Sequence, residues 1–441
     1  MSEDTTITVN GDPIQVGNPS QNTTVFANGE LVDDPDISEE VFINDRGIGA
    51  GVPTDTVYFP LVDNSTGPDL TLCAVDADDA SRVWADDSIA AMRSAPYVKG
   101  EYVYAAEAGG EDLVKLDIRD GTPEWNVSPF IGKLALEAIV VTDDIMAVPH
   151  GEAGVVGLNT DDGSTAWVYD EGNTNETFTG SIQFDGSLIY AGSQWDTDGG
   201  ALIDDVISDG YGHAIDPADG SQKWIYDPGE RRGFARPPGL DDGTLFWSSS
   251  GFALRYDDRE LTVWAVDAST GTLEWSVRPP ELADGLTDEA GTFHATNGSV
   301  YVHLQDYIYS LDASDGSTEW LYKTQENEQP DVGLSVANSV VYAAVPPTNE
   351  SDGYTVALDA SDGSELWMNT DHNPGQLSAP AVVDGKVYTN DATDDQNGLL
   401  KILDAADGSL LAEGVTAGAA NTRYCSPAYD DRWVYPRRDN A

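Results

Sequence analysis

Eight polar side chains recur at one position of a repeated phrase in this 441-residue chain: Asp76, Asp117, Asn159, Asp216, Asp267, Asp312, Asp359 and Asp404. Carboxylates in such register could hold cations or pass protons. Their neighbours argue for a structural task. The phrase runs small residue, apolar residue, Asp, two variable residues, an acidic or hydroxyl residue, Gly, three variable residues, Trp. Ser310-Leu311-Asp312-Ala313-Ser314-Asp315-Gly316, ending at Trp320, is a clear copy. An Asp so placed caps a turn through backbone NH groups, and the Gly supplies the positive φ the turn needs. The small residue lets neighbouring sheets approach. The Trp lays a flat apolar surface between them, where its indole NH can reach a backbone acceptor. The best-kept sets are Asp117, Gly121 and Trp125; Asp216, Gly220 and Trp224; Asp267, Gly271 and Trp275; Asp312, Gly316 and Trp320; Asp359, Gly363 and Trp367. Ala412 replaces the last Trp and Ala80 the first Gly, so the seam at Ala412 is expected to be weaker or sealed by another aromatic.

Few other residues stand ready for chemistry. Asp196, Asp198 and Asp204 share one insertion and have the oxygen donors of a calcium site, but their spacing misses the twelve-residue loop pattern. A solvated acidic loop accounts for them as well. His150, His213, His294, His303 and His372 show no metal-ligand spacing such as His-Glu-x-x-His, and none is assigned a role. No nucleophile elbow, phosphate loop or dinucleotide fingerprint is present. Arg231, Arg232, Arg236, Arg255 and Arg259 fall within thirty residues, with Phe234, Phe246, Trp247 and Phe252 interleaved. In so acidic a chain they form a candidate docking rim, with Trp195, for an acidic partner or anionic ligand. Pairing with local carboxylates such as Asp241 and Asp257 is the competing reading. Cys73 and Cys425 lie in the first and last repeat regions, where ring closure would bring them near each other. A disulfide there and two separate thiols both remain open.

The elements that position these residues follow from the repeat. Successive anchors lie 41, 42, 57, 51, 45, 47 and 45 residues apart, the period of a β-propeller. The unit beginning at Ser378 predicts four short strands: one through Ala381-Val382-Val383, a second at Lys386–Thr389 after an Asp-Gly turn, a third at Leu399–Asp404, and a fourth after Asp407-Gly408. The expected fold is a single all-β propeller of eight four-stranded antiparallel blades over residues 46–441. Residues 1–45 carry no phrase and read as an N-terminal arm or small β addition, with a hairpin around Gly11-Asp12. A ninth half unit from Ser426 is expected to pair into the first blade and hide the sheet edges. Blades four and five carry insertions, at Gly192–Tyr211 and Ser249–Glu260.

Composition bounds the function. Seventy-eight Asp and Glu against 21 Lys and Arg give a net charge of −57. Such self-repulsion is tolerable where molar salt shortens the Debye length to about 3 Å, which predicts a halophilic origin. A phosphate-binding face needs clustered cations, so nucleic acid is not an expected partner. No apolar run is long enough for a transmembrane helix, and Met1-Ser2-Glu3-Asp4 opens no secretory signal. The expected location is cytoplasmic or carried in a particle.

The phrase resembles the tryptophan-docking repeat of the pyrroloquinoline-quinone-type β-propellers, and the resemblance covers residues 46–436. It implies one of two functions. The quinoprotein alcohol dehydrogenases hold quinone and calcium over the central channel, with a catalytic Asp and adjacent cysteines. This chain has no Cys-Cys pair and offers no alignable set of calcium ligands. The other branch uses the ring as a binding scaffold, as in the bacterial outer-membrane assembly lipoprotein and sensor domains. The expectation is therefore a non-enzymatic scaffold without a cofactor, engaging a protein partner, surface receptor or larger assembly such as a cell-surface array or virus particle. A calcium- and quinone-dependent dehydrogenase is the alternative.

Overall fold

The computed structural model describes residues 5–9, 12–16, 25–27, 30–32, 41–43, 56–63, 69–78, 80–86, 96–106, 112–128, 139–150, 154–169, 176–178, 182–195, 210–229, 234, 238–248, 261–282, 290–324, 332–347, 352–374, 379–392, 398–415 and 428–429. The chain divides into two compact units, Met1–Pro53 and Thr54–Ala441. In the first, Thr5–Val9 pairs antiparallel with Asp12–Val16. Val25–Ala27 forms the centre of a three-stranded sheet, antiparallel to Glu30–Val32 and parallel to Val41–Ile43.

The second unit is a propeller of four-stranded antiparallel sheets. Repeats two to eight each wind one blade from consecutive strands, and blades are numbered here by repeat. Blade eight, for example, runs Ala381–Val383, Lys386–Ala392, Gly398–Asp404 and Leu410–Val415. The first repeat differs. Its strands Thr56–Asp63, Asp69–Asp76 and Arg82–Asp86 take their fourth member from the other end of the chain, Ala428–Tyr429. The expected eight blades are thus corrected to seven self-contained ones and one composite sheet, because the first repeat supplies only three strands. Ala428–Tyr429 touches the innermost strands of blades eight and two, so it closes the ring.

Burial follows strand position. A third strand such as Leu113–Asp117 is buried along its whole length, since neighbouring sheets cover both faces. An outermost strand such as Pro123–Val127 buries only its Trp.

The repeated phrase accounts for the seams. In every blade with a docking Trp, the indole NH donates to the carbonyl of the residue after the next anchor, as in Trp84 to Ile118 (2.9 Å), Trp224 to Ala268 (2.9 Å) and Trp367 to Ala405 (2.9 Å). The ring lies over the next repeat's glycine. A Cβ on Gly121 would come 2.6 Å from Trp84, and one on Gly363 the same distance from Trp320. The small residue is explained by register: it faces the Trp of its own blade, as Ala357 faces Trp367 and Gly157 faces Trp167. A Cβ at Gly157 would stand 2.2 Å from Trp167. The scarce lysines staple seams as well. Lys115 Nζ reaches Thr160 O at 3.0 Å and sits 3.8 Å over the Tyr102 ring, and Lys401 Nζ reaches Asp371 O at 2.7 Å.

Candidate binding face

Strand order assigns every loop to a face. Because the four strands alternate in direction, first-to-second hairpins and third-to-fourth turns fall on one face. Second-to-third loops and blade-to-blade connections fall on the other. The repeated phrase therefore builds a turn face, and the long insertions of blades four and five leave from the opposite, loop-bearing face.

On the turn face the carboxylates are already committed. Asp Oδ1 accepts the NH of the residue two on at Asp76, Asp117, Asp216, Asp267, Asp312, Asp359 and Asp404. The acid before the Gly does likewise for the residue after it, as Asp219 does for Ser221 and Asp362 for Ser364. The Arg119 guanidinium holds Asp117 below the usual carboxylate range, Lys223 does so for Asp216, and serine hydroxyls do so for Asp267 and Asp312. Carboxylates lowered in this way are poor proton carriers near neutrality, so the array caps turns.

The loop face carries a different construction at blade four. Its second strand, Ile189–Gly192, leads into the insertion, and its third, Gly212–Ile215, receives the chain back. Ser193 and Tyr211 clamp these two ends: Ser193 N donates to Tyr211 O at 2.9 Å, and Ser193 Oγ accepts the Tyr211 NH at 3.0 Å. Ser193 Oγ also lies 2.9 Å from His213 Nε2, whose Nδ1 is 3.1 Å from the Tyr169 hydroxyl of blade three. Phe178 packs on the imidazole at 4.8 Å. Next to it, Glu176–Thr177 pairs with Gln194–Trp195, so the incoming connection and the insertion root share a short ladder. From the following connection, the Phe234 NH donates to Ser193 O at 3.0 Å. Gly192 is needed under it, because a Cβ there would lie 2.4 Å from Phe234 O.

Serine beside histidine is the pairing that activates a nucleophile. Here Ser193 and His213 are both wholly buried, and the serine oxygen already accepts a backbone NH. The chain Ser193–His213–Tyr169 holds three segments of the loop face together.

The expected site residues are placed unevenly. Phe234 is corrected from a docking side chain to a core one: it is fully buried, stacked on Trp247 at 5.0 Å and on Tyr226 at 6.3 Å. Phe246 and Trp247 are buried too, because blades four, five and six cover both faces of that strand. Trp195 is located by its backbone ladder with Glu176. Arg231, Arg232, Arg236, Arg255, Arg259, Asp196, Asp198 and Cys425 lie outside the described residues, while Cys73 falls on the strand Asp69–Asp76. The strands flanking the arginine segments and the acidic insertion all end on the loop face. Histidine is where sequence reasoning missed most. All five are buried, and His372 is tied to Thr355 Oγ1 at 2.8 Å and Asn369 Oδ1 at 3.0 Å. No spacing signal marks them: His213 takes its partners Ser193 and Tyr169 from far along the chain, and His372 takes Thr355 from another strand. Among the described residues no group of three or more His, Cys, Asp or Glu is placed to hold a metal ion, and no helix is long and apolar enough to cross a membrane.

Four-stranded antiparallel sheets docked by indoles define a β-propeller of the tryptophan-docking class. The family profile described as outer membrane protein assembly factor BamB matches residues 41–173, 68–233 and 259–435, and the chain belongs to this pyrroloquinoline-quinone-type repeat family. Solved structures share the fold at low identity. BamB from Moraxella catarrhalis superposes with a TM-score of 0.55 at 14% identity, over 80% of this chain and 93% of that one. The quinohemoprotein alcohol dehydrogenase from Comamonas testosteroni gives 0.59 at 13%, over 76% and 68%. By sequence, 150 residues are 27% identical to the quinone alcohol dehydrogenase, dehydrogenase subunit, of Komagataeibacter europaeus, which is 29% of this chain and 19% of that protein. The corresponding subunit of Gluconacetobacter polyoxogenes is 29% identical over 160 residues, 31% of this chain and 20% of that protein. The chain thus spans about a fifth of the length of these relatives.

Proposed function

We propose that this protein is a non-enzymatic binding and assembly scaffold that engages a protein partner through the loop face of blades four and five. The observation that supports this most is the buried Ser193–His213–Tyr169 clamp, which ties the root of the long insertion to the outermost strand of blade three, while the Phe234 NH ties it to the following connection. A root fixed in this way presents what it carries at low ordering cost. The partner belongs to a larger assembly, at a cell surface or in a virus particle. Sedimentation of the native protein in molar salt, with mass spectrometry of what travels with it, tests this. Fixed neighbours are expected, and they should be lost when residues 196–209 are replaced by a short Gly-Ser linker. Migration as a free monomer in both forms overturns the scaffold.

The second reading, a calcium- and quinone-dependent dehydrogenase, is favoured by the sequence similarity to the quinone alcohol dehydrogenase subunits. It predicts saturable, calcium-dependent quenching of Trp fluorescence by pyrroloquinoline quinone. A flat titration removes it.

The charge of −57 carries a proposal about habitat: the ring is adapted to molar salt. Below roughly 0.5 M salt, unscreened carboxylate repulsion should abolish the β-sheet circular dichroism. An unchanged spectrum in dilute buffer contradicts it.

A further inference from the structure

The seam between repeats eight and one departs from the other seven at three positions, and the three fall in one cluster. Ala412 stands where the docking Trp belongs. Ile402 stands opposite it, where most other repeats place a Gly, Ala or Ser facing the Trp. Ala80 stands in the next repeat where seven glycines stand. All three join one cluster with Val75, Ala77, Tyr388 and Leu400.

Each departure answers another. A Cβ at the glycine position would lie 2.5–2.7 Å from the facing indole in most of the other seams, so Ala80 is tolerated only because Ala412 brings no indole. Ile402 takes up volume that the Trp would fill. The carbonyl that should accept an indole NH is Ala77 O, and here the Tyr388 hydroxyl (3.2 Å) and Lys386 Nζ (3.3 Å) supply the hydrogen. Lys386 also pairs with Asp78. Ala80 keeps the turn of the other repeats, its NH donating to Asp76 O at 2.9 Å, but at φ 57°. Alanine in that region is strained where glycine is not. An alanine held there points to a task for its methyl group.

We infer that Ala80, Ile402 and Ala412 form a key that directs repeat eight onto repeat one and no other repeat onto it. Repeats that share one docking chemistry could otherwise dock out of order while the ring forms, a characteristic failure of repeat proteins. The Ala80 methyl group rejects every repeat that carries a docking Trp. Repeat eight lacks one, so closure has a single solution.

The test compares A412W, A80G, A80G/A412W and the triple variant A80G/I402A/A412W in molar salt, by denaturation midpoint, hydrogen exchange and refolding kinetics. A412W should lower the midpoint and speed exchange of strand Thr56–Asp63 by about tenfold or more while blades four to six keep their protection. The triple variant should recover the midpoint, since it recreates the docking geometry of the other seams, and A80G with A412W should be better than A412W alone. With the methyl group gone, A80G should pass on refolding through a slowly converting species, with another repeat's Trp seated on repeat one, that the native chain does not form. Additive effects of Ala80 and Ala412, or refolding of A80G with the same kinetics as the native chain, overturn the key. If A412W does not fold, rescue by the triple variant or its failure decides the question.

Discussion

Trp320→Ala is expected to lower stability by about 3–5 kcal/mol, the range for removing a large buried aromatic. Its indole NH donates to Ala360 O at 2.9 Å, its ring covers Gly363, and Ser310 faces it across the strand pair. Tyr301 packs against it at 5.9 Å. Truncation opens a void between blades six and seven and removes the indole donor from Ala360 O. Trp320→Phe keeps most of the packing and loses the hydrogen bond, so its cost should be nearer 1–2 kcal/mol, about that of one bond to a buried acceptor. Gly363→Ala probes the same seam from the other side: its Cβ would meet the ring at 2.6 Å, on a backbone at φ +71°. Denaturation in molar salt should rank Trp320→Ala and Gly363→Ala far below Trp320→Phe. A Trp320→Ala cost within about 0.5 kcal/mol of zero, as for a surface substitution, would mean the docking tryptophans do not hold the seams.

Mild acid should destabilise the ring through its buried histidines. Burial depresses His294 to about 4 and His303 to about 3. Burial, with the nearby Lys401 ammonium, takes His372 to about 3. In the unfolded chain each imidazole takes its proton near 6.5. The fold therefore keeps them neutral, and their contribution is complete above pH 6.5. It is lost as the pH falls toward 4 for His294, and on toward 3 for the other two. Each costs about 1.4 kcal/mol per pH unit within its window, so the three together remove about 4 kcal/mol per unit. The lowered carboxylates Asp267 and Asp312 act in a separate window: their contribution is present above the unfolded value of 3.8 and lost only below it. Thermal midpoints from pH 7.5 to 5 in molar salt should fall steeply, and His303→Leu should reduce the slope by about a third. A flat profile, or a slope that His303→Leu leaves unchanged, would show that these imidazoles are protonated within the fold.

The expectations divide by the range of the interactions behind them. The Asp and Gly of the phrase were legible because capping and positive φ are local demands, met within five residues. The Trp was legible by recurrence. The strands of blade eight fall within a few residues of their expected places because each hairpin is closed by its own turn, Asp384-Gly385 or the phrase itself. Phe234 misled. Arg and aromatic residues interleaved in sequence read as a docking patch, but Phe234 is buried by Trp247 and Tyr226 of the flanking blades.

By itself the sequence determined the class of fold, the number and spacing of repeats, the residues that build each turn and the acidic balance of the chain. These are properties of short segments or of composition. The tertiary structure alone decided the rest. It placed Ser193, His213 and Tyr169 in one chain from the root of an insertion and two strands of two blades. It settled which residues of the expected C-terminal half unit complete the first repeat's sheet, Ala428–Tyr429, and it gathered the separate oddities of Ala80, Ile402 and Ala412 into one cluster. The reason is distance along the chain: Ala80 and Ala412 meet only when the ring closes, and no local preference of either residue records that meeting.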